Sequence, residues 1–259
     1  MVKYSVFSKP WHMPVDDLGQ HIAELGFDGV ELPVRPGYPV TPETVAGLPQ
    51  AAKTLGKYGL KIFSVAGPMD EATIVACAEA GVPVIRVMAR IPQGVKYLDA
   101  GADFQRQCDA LVPLLDKYGV TIGVQNHCGR FVSNAAGLRL LLAKYDPKHI
   151  AAVWDAAHEA LEGNEHDLAL DIIWDRLCMV NLKNSFRQRV TGPEAEYALW
   201  KNYWTGGRHG LASWPKVAAE LKSRGYQGVV CLTAEYSDHD SVNRLIKQDL
   251  AFAKSLFEA

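Results

Sequence analysis

The chain has 259 residues, of which 48% are hydrophobic and 22% are charged, a composition typical of a globular protein with a sizeable core. Its formal net charge of −2 argues against a nucleic-acid-binding protein, because a broad basic face needs a marked excess of lysine and arginine. No apolar run approaches the ~18 residues that a membrane span needs, the N-terminus lacks a signal-peptide pattern, and the five scattered cysteines form no CxxC pair, so we expect a cytoplasmic protein with reduced thiols.

Short apolar segments alternate with amphipathic segments eight times along the chain. The predicted strands are Tyr4–Ser8, Asp28–Pro33, Lys61–Ala66, Pro83–Ala89, Thr121–Asn126, Ile150–Asp155, Met179–Lys183 and Val229–Glu235. A glycine stands before five of them, at positions 26, 59, 81, 119 and 225, where a preceding helix needs a left-handed residue to end.

Helical patterns fill the intervals. Val15–Leu25 and Phe104–Tyr118 each carry apolar residues on one face, and helix starts are indicated at Thr41 and Ser213, each followed closely by proline. The strands are apolar throughout, as in a parallel sheet covered on both faces. This order predicts a single-domain α/β protein, a (β/α)8 TIM barrel over residues 1–259. An open doubly wound sheet would need a glycine-rich turn after the first strand, where the sequence reads SKPWHMPV.

The longest connection follows the seventh predicted strand, at about 184–212. It contains Tyr197, Trp200, Tyr203 and Trp204, and we expect it to fold over the site as an aromatic lid.

Polar residues cluster where the predicted strands end, which is the ligand-binding face of a barrel. They are Trp11, His12, Glu31, Arg86, Arg90, Gln125, Asn126, His127, Asp155, His158, Asn181, Lys183, Asn184, Thr233 and Glu235.

Five segments in this order resemble the xylose isomerase-like TIM barrels, a superfamily of sugar isomerases and epimerases that also contains endonuclease IV. They are GFDGVEL (26–32), VQNHCG (124–129), VWDAAH (153–158), VNLKN (180–184), and Gly210 to Trp214 followed by GYQG (225–228). The resemblance covers the whole chain. It implies a TIM barrel acting on a small carbohydrate, related to the sugar phosphate isomerases and epimerases, in a family whose members often form homodimers.

The resemblance also implies a divalent metal held by glutamate, aspartate, histidine and glutamate on strands five to eight. Those positions here are Gln125, Asp155, Asn181 and Thr233, so one carboxylate of the expected set is present. Two amides and a hydroxyl bring no charge to a 2+ ion and make a poor site for Mg²⁺ or Mn²⁺. We therefore expect no metal and no other cofactor.

Strand alternation places a second set nearer the mouth, because Lys183, Glu235 and His127 each lie two residues beyond a lost metal position. We expect Glu235, Lys183, Asp155, His158 and His127 to be catalytic, with Lys183 stabilising an enediolate and Glu235 or His158 moving the proton next to a carbonyl. The expected substrate-binding residues are Gln125, Asn181, Glu31, Trp11, Trp204 and Arg86, and Arg208 is a weaker candidate for an anionic substrate group.

Other interpretations remain open. A displaced metal could be held by some of His127, Asp155, His158 and Glu235, or the chain could be a non-catalytic sugar-binding or partner subunit. Glu31 with Arg86, and Lys183 with Glu235, could form structural ion pairs. Endonuclease activity is disfavoured, since it would need a histidine-rich zinc cluster and a basic face.

Overall fold

The computed structural model describes residues 1–258, and within them the chain forms a closed barrel of eight parallel strands with a separate hairpin. The strands are β1 (Lys3–Phe7), β2 (Gly29–Pro33), β3 (Lys61–Ala66), β4 (Val84–Val87), β5 (Thr121–Gln125), β6 (Ile150–Asp155), β7 (Leu177–Leu182), β8 (Asn184–Arg189), β9 (Trp200–Thr205) and β10 (Val229–Leu232). β10 is the eighth barrel strand. It pairs with β7 and closes the barrel on β1, while β8 and β9 form the hairpin.

The helices lie between the strands, as expected when parallel strands are joined by crossovers. They are α1 (Val15–Leu25), α2 (Leu48–Gly56), α3 (Glu71–Ala80), α4 (Tyr97–Tyr118), α5 (Ala135–Leu142), α6 (Ala156–Leu161), α7 (His166–Ile173), α8 (Trp214–Ser223) and α9 (Val242–Phe257). Short 3-10 helices cover 42–47, 174–176 and 239–241. In residues 1–258 no helix combines the length and the apolar character that a membrane crossing requires. The predicted (β/α)8 fold is confirmed.

Glycine ends several helices as predicted. Gly26, Gly81 and Gly119 follow α1, α3 and α4 with φ of 88°, 68° and 66°, and in each case the glycine N–H donates to a carbonyl in the last turn. Side chains with a Cβ rarely adopt this left-handed conformation, so the glycines fix where each helix stops and the next strand begins.

Three predicted boundaries were wrong by three residues or more, whereas the other strand ends differ from the prediction by at most two. Thr41 begins a 3-10 turn, and the helix α2 starts at Leu48. α4 begins at Tyr97, seven residues earlier than the predicted Phe104. The last barrel strand stops at Leu232 rather than Glu235, because Ala234 has φ of 51° and the chain leaves the pleat there.

The connection expected as an aromatic lid is an antiparallel hairpin, with Asn184 opposite Thr205 and Arg189 opposite Trp200. Its tip is exposed, including Tyr197 and Trp200. At its base, Trp204 contacts residues of the barrel mouth, whereas Tyr203 stacks on Phe186 of the facing strand. The segment therefore reaches the mouth through the Trp204 ring and through Asn202, which donates to Cys128 Sγ at 3.5 Å.

Two apolar clusters make up the core. The larger lies between the strands and the surrounding helices, and a small one inside the barrel contains Phe7, Ala66, Val153, Met179 and Cys231. The inner cluster closes the barrel below the polar strand ends. The barrel is therefore a packed core below the strand-end face and does not form a pore.

Candidate functional site

Six of the predicted site residues line one small cavity at the C-terminal ends of the strands. The cavity has a volume of about 70 Å³, and its walls are Phe7, Lys9, Arg35, Arg86, Met88, Gln125, His127, His158, Asn181, Thr233 and Glu235. Thr233 and Glu235 both line the cavity, although β10 ends at Leu232. Strand alternation predicted that these two side chains share one face, and they do so even though the extended strand stops before them.

Glu235 lies between two lysines at the rim of this cavity. Lys183 donates from Nζ to Glu235 Oε2 at 2.7 Å, and Lys9 donates to Oε1. Burial alone would raise the pKa of Glu235, but the charges and hydrogen bonds of Lys183 and Lys9 outweigh it and lower the pKa to about 2. The Lys183 ammonium also lies 3.8 Å from the centre of the Trp204 ring, which fixes its second side.

His127 and His158 pack together with ring centres 4.0 Å apart. His127 Nδ1 is 2.8 Å from the Cys128 carbonyl oxygen, so Nδ1 carries the proton and Nε2 is the free nitrogen. His158 Nδ1 instead accepts the Cys128 N–H at 3.2 Å, which leaves its proton on Nε2. Burial, and the nearby Lys183 charge, lower the pKa of both rings, so both are neutral at pH 7.

Asp155 ends β6 and begins α6, and its carboxylate is fully buried. Oδ1 accepts the backbone N–H groups of Ala157 and His158 at 3.0 and 3.1 Å, and Oδ2 accepts Gln125 Nε2 at 2.8 Å. Burial raises its pKa to about 6 despite the opposing charge of Lys183. Asp155 therefore positions the start of α6, and with it His158, as well as contributing charge to the site.

Arg86 is buried in the wall of the cavity and contacts residues of three other strands. Its Nε donates to Glu31 Oε1 at 2.7 Å, Nη1 donates to Gln125 Oε1, and the guanidinium lies 4.7 Å from the centre of the Phe7 ring. Ser64 also donates to Glu31 Oε1 at 3.0 Å. The predicted in-barrel ion pair between Glu31 and Arg86 is thus present, with Glu31 below the cavity and Arg86 in its wall.

Asn181 presents a free amide to the cavity. Its side chain is fully buried, yet both Oδ1 and Nδ2 are without a hydrogen-bond partner among residues 1–258. A buried amide without partners costs free energy, and this one leaves one donor group and one acceptor open towards the cavity.

The xylose isomerase-like TIM barrel model matches residues 20–256. The chain belongs to this family. Solved structures similar to it include D-psicose 3-epimerase crystallised with D-fructose, at 14% identity and TM-score 0.75 over all of both chains. Another is 3-keto-D-glucoside 4-epimerase from E. coli, at 17% identity and TM-score 0.73 over 98% of this chain and 100% of that one. A third is a probable 3-DHS dehydratase from Bacillus anthracis, at 15% identity and TM-score 0.72 over 96% of this chain and 98% of that one. At these identities the likeness shows the fold. No curated protein sequence matches the chain.

The metal-binding positions implied by the family resemblance do not fit a hard divalent cation in this chain. At the first position, the Gln125 oxygen already accepts from the Arg86 guanidinium, and its Nε2 donates to Asp155, the one carboxylate of the set. Asn181 and Thr233 bring an amide and a hydroxyl. A cationic side chain therefore approaches the position where anionic ligands would be needed.

A different group in the mouth has the donors of a softer metal. Ligand atoms of His127, Cys128 and His158 lie within 4.8 Å of one another, and imidazole and thiolate are ligands that Zn²⁺ accepts. Burial raises the pKa of the Cys128 thiol, which keeps it protonated in the absence of an ion. This group shares His127 and His158 with the displaced site considered from the sequence, but it uses neither Asp155 nor Glu235.

Four predicted residues outside the cavity wall contact residues of the wall: Lys183 contacts Glu235, Asp155 contacts Gln125, Glu31 contacts Arg86, and Trp204 contacts His158. Two others, Trp11 and Arg208, lie away from the cavity. Trp11 is buried, donates from its indole N–H to Asn243 Oδ1 at 2.9 Å and packs edge-on against His21. These contacts join the first loop to α9 and α1, and the Trp11 ring does not line this cavity. Arg208 lies over the Phe252 ring at 3.6 Å, also away from the cavity.

Sequence reasoning missed Lys9 and Arg35. Both come directly after a predicted strand, Lys9 one residue beyond Ser8 and Arg35 two beyond Pro33, so the rule that selected the other strand-end residues applied to them as well. Glu159 was missed for another reason. It is buried behind the site and accepts from Asn126, Ala135, Trp154 and Asn164, contacts that no sequence spacing reveals.

Proposed function

We propose that this chain isomerises or epimerises a keto-sugar or a related polyhydroxy carbonyl compound, by proton transfer at the carbon next to the carbonyl and without a divalent metal. One observation carries the proposal: the unprotonated Nε2 of a neutral His127 and a fixed cation at Lys183 belong to the same strand-end mouth. A base and a cation held together are what enolisation requires.

The base removes the proton and the cation stabilises the product. His127 Nε2 takes the proton as the C–H bond breaks, the electron pair forms a carbon–carbon double bond, and the carbonyl oxygen becomes an enediolate oxygen. Lys183 donates to that oxygen from a position fixed by Glu235 and Trp204. In isomerisation the Nε2–H of the protonated His127 returns the proton to the neighbouring carbon. In epimerisation a proton from solvent reaches the opposite face of the same carbon and His127 releases the proton it took, so the protein ends each turnover in its starting state.

The distribution of roles differs from the expectation drawn from sequence. A carboxylate with a pKa of about 2 is a weak base at neutral pH, so Glu235 fits the holding of Lys183 and Lys9 better than the carrying of a proton. The free amide of Asn181 suits substrate hydroxyl groups, since each hydroxyl can both donate and accept.

The test is proton exchange with solvent. A panel of ketoses and keto-acids is incubated in D₂O with protein that has been treated with chelator, and NMR follows deuterium entering the carbon next to the carbonyl. Lys183→Met and His127→Gln should each lower the exchange rate at least about a hundredfold. The matched controls Lys61→Met and His149→Gln change an exposed lysine at the start of β3 and a histidine that precedes β6, and should exchange at the wild-type rate.

Other outcomes would replace the proposal. Wild-type exchange in both Lys183→Met and His127→Gln would remove these residues from the mechanism. Exchange that disappears on chelation and returns with Zn²⁺ would favour the His127, Cys128 and His158 group as a metal site. Binding of a ketose with no exchange at all would indicate a sugar-binding protein without catalysis.

A further inference from the structure

The cavity where the catalytic groups meet is too small to hold a whole sugar. Its volume of about 70 Å³ corresponds to roughly five to seven water-sized groups. A much larger cleft of about 840 Å³ adjoins it at the ends of β2, β3 and β4, and Arg35, Arg86 and Met88 line both spaces. A substrate whose reacting carbons lie in the cavity must therefore extend past these three side chains into the cleft.

Arg35 lies at the junction with its charge uncompensated. Its guanidinium is half-buried, faces the Phe7 ring at 5.6 Å, and makes no hydrogen bond or ion pair with any side chain among residues 1–258. Arg86 beside it differs, because its charge is paired with Glu31 at 2.7 Å. Burial and the repulsion from Arg86 lower the pKa of Arg35, as expected for a cation that lacks an anion.

The charges around the junction leave an excess of cations. The cations are Lys9, Lys183, Arg35 and Arg86, and the carboxylates are Glu31, Glu235 and Asp155. Each carboxylate is already engaged: Glu235 by two lysines, Glu31 by Arg86 and Ser64, and Asp155 by Gln125 and two backbone N–H groups.

The walls of the cleft indicate where an anion would lie. Arg90 at the end of β4 is exposed in the wall and has no side-chain partner among residues 1–258. The facing helix α4 contributes Asp99 and Asp103, and Asp103 is paired with Arg106 at 2.7 Å. The barrel side of the cleft is therefore cationic and the helix side carries the acids, so an anionic group belongs on the barrel side, next to Arg35.

We propose that the substrate carries an anionic oxygen group, a carboxylate or a phosphate, at the end remote from the reacting carbons, and that Arg35 binds this group in the cleft with Arg90 nearby. This inference rests on the proposed function, because it takes the cavity as the reacting end. A guanidinium offers planar paired donors that match either anion.

Binding measurements test the subsite without requiring turnover. Titration calorimetry compares a neutral ketohexose, its 6-phosphate and the corresponding ketohexuronate, at low and at physiological salt. The wild type should bind at least one anionic probe at least tenfold more tightly than the neutral one, and less tightly as salt rises. The better of the two anionic probes tells a phosphate-bearing substrate from a carboxylate-bearing one.

Variants test whether Arg35 causes the tighter binding of anionic probes. Arg35→Met, which keeps the apolar stem, should reduce the preference to threefold or less, and Arg35→Lys should keep part of it. Arg139→Met, at an exposed arginine paired with Asp175, should behave as wild type. Equal affinity for charged and neutral probes, no measurable binding of any probe, or a preference that survives Arg35→Met would each overturn the subsite.

Different results would overturn the proposed function and the Arg35 subsite. Preference for an anionic probe that Arg35→Met abolishes, with no deuterium entering any substrate, would support the subsite and overturn the proposed function. Exchange in a neutral ketose, with no preference for anionic probes, would support the function and overturn the subsite.

Discussion

The Glu235 carboxylate shows how single residues carry the electrostatics of this barrel. Its pKa is lowered to about 2 from the ordinary value near 4.5, because Lys183 and Lys9 stabilise the charged form more than burial disfavours it. A lowered acid pKa contributes stability that is present above the unfolded value of about 4.5 and is lost as the pH falls towards about 2. The ion-pair network of the mouth should therefore weaken in acid.

The Glu235→Gln variant tests how much this ion-pair network contributes to the free energy of unfolding. At pH 7 the variant should be less stable than wild type by about 3 kcal/mol, since two lysines lose their partner, and the difference should shrink as the pH falls from 5 to 3. Urea denaturation across this range measures it. Glu24→Gln, at an exposed residue of α1, should stay within about 0.5 kcal/mol of wild type at every pH. A difference in unfolding free energy between Glu235→Gln and wild type that does not change with pH would contradict the lowered pKa of Glu235.

At the scale of residues, sequence reasoning found which side chains meet but not how they are bonded. The spacing of Lys183 and Glu235 beyond two neighbouring strands was enough to predict the site region, and the structure brings them within 2.7 Å. The tautomers of His127 and His158 depend on the two backbone atoms of Cys128, and the capping role of Asp155 depends on where β6 ends. Such details depend on backbone geometry that a strand pattern leaves open.

At the scale of elements, one side chain makes four of the hydrogen bonds at the base of the hairpin. Asn184, buried at the start of β8, donates to the carbonyls of Gly207 and Ala212 at 2.8 and 2.9 Å and accepts the N–H groups of Ser185 and Ala212 at 3.0 and 2.9 Å. Gly210 must lack a side chain here, because an added Cβ would lie 2.1 Å from Asn184 Oδ1. This junction sets the position of Trp204 over Lys183.

Asn184→Ala should loosen the hairpin base and leave the barrel folded. Four hydrogen bonds are lost and buried groups are left unpaired, so we expect a loss of about 2 to 4 kcal/mol in unfolding free energy. Hydrogen exchange of the amides at 185 and 207–212 should accelerate, and Gly210→Ala should have the same effect. Lys201→Ala, at an exposed residue of β9 within the hairpin, serves as the control. Unchanged exchange at 207–212 would show that other contacts hold the junction.

The elements differ in how far they could be predicted. The bounds of α1, β3 and β6 agree with the predicted ones, because glycines, caps and apolar runs mark them in the sequence. The hairpin was not predicted, since β8 is polar towards its end, β9 (WKNYWT) has no strict alternation, and the ten residues between them form no tight two-residue turn. Its stability comes from pairing and from Asn184, which are contacts between segments distant along the chain.

At the scale of the whole molecule, eight repeats of strand and helix were sufficient to predict the barrel. A closed barrel needs side chains that fill its interior, and the small apolar cluster around Phe7 and Met179 fills the part below the polar strand ends. The family resemblance implied a carboxylate-rich metal set at the strand ends. Relative to that expectation, the matching positions show a change to two amides and a hydroxyl beside Asp155.

That change can be measured through the stability of the whole chain, because a ligand that binds the folded state raises Tm. An ion at a hundred times its Kd contributes about 2.7 kcal/mol, a rise of about 5 to 10 °C for a chain of this size. We expect Mg²⁺ or Mn²⁺ at 1 mM, or chelator, to shift Tm by less than about 1 °C, since the Arg86 guanidinium contacts Gln125 where a ligand carboxylate would be needed. A rise of several degrees that Asp155→Asn abolishes would contradict this. A rise with Zn²⁺ that Cys128→Ser abolishes would instead locate an ion at His127, Cys128 and His158.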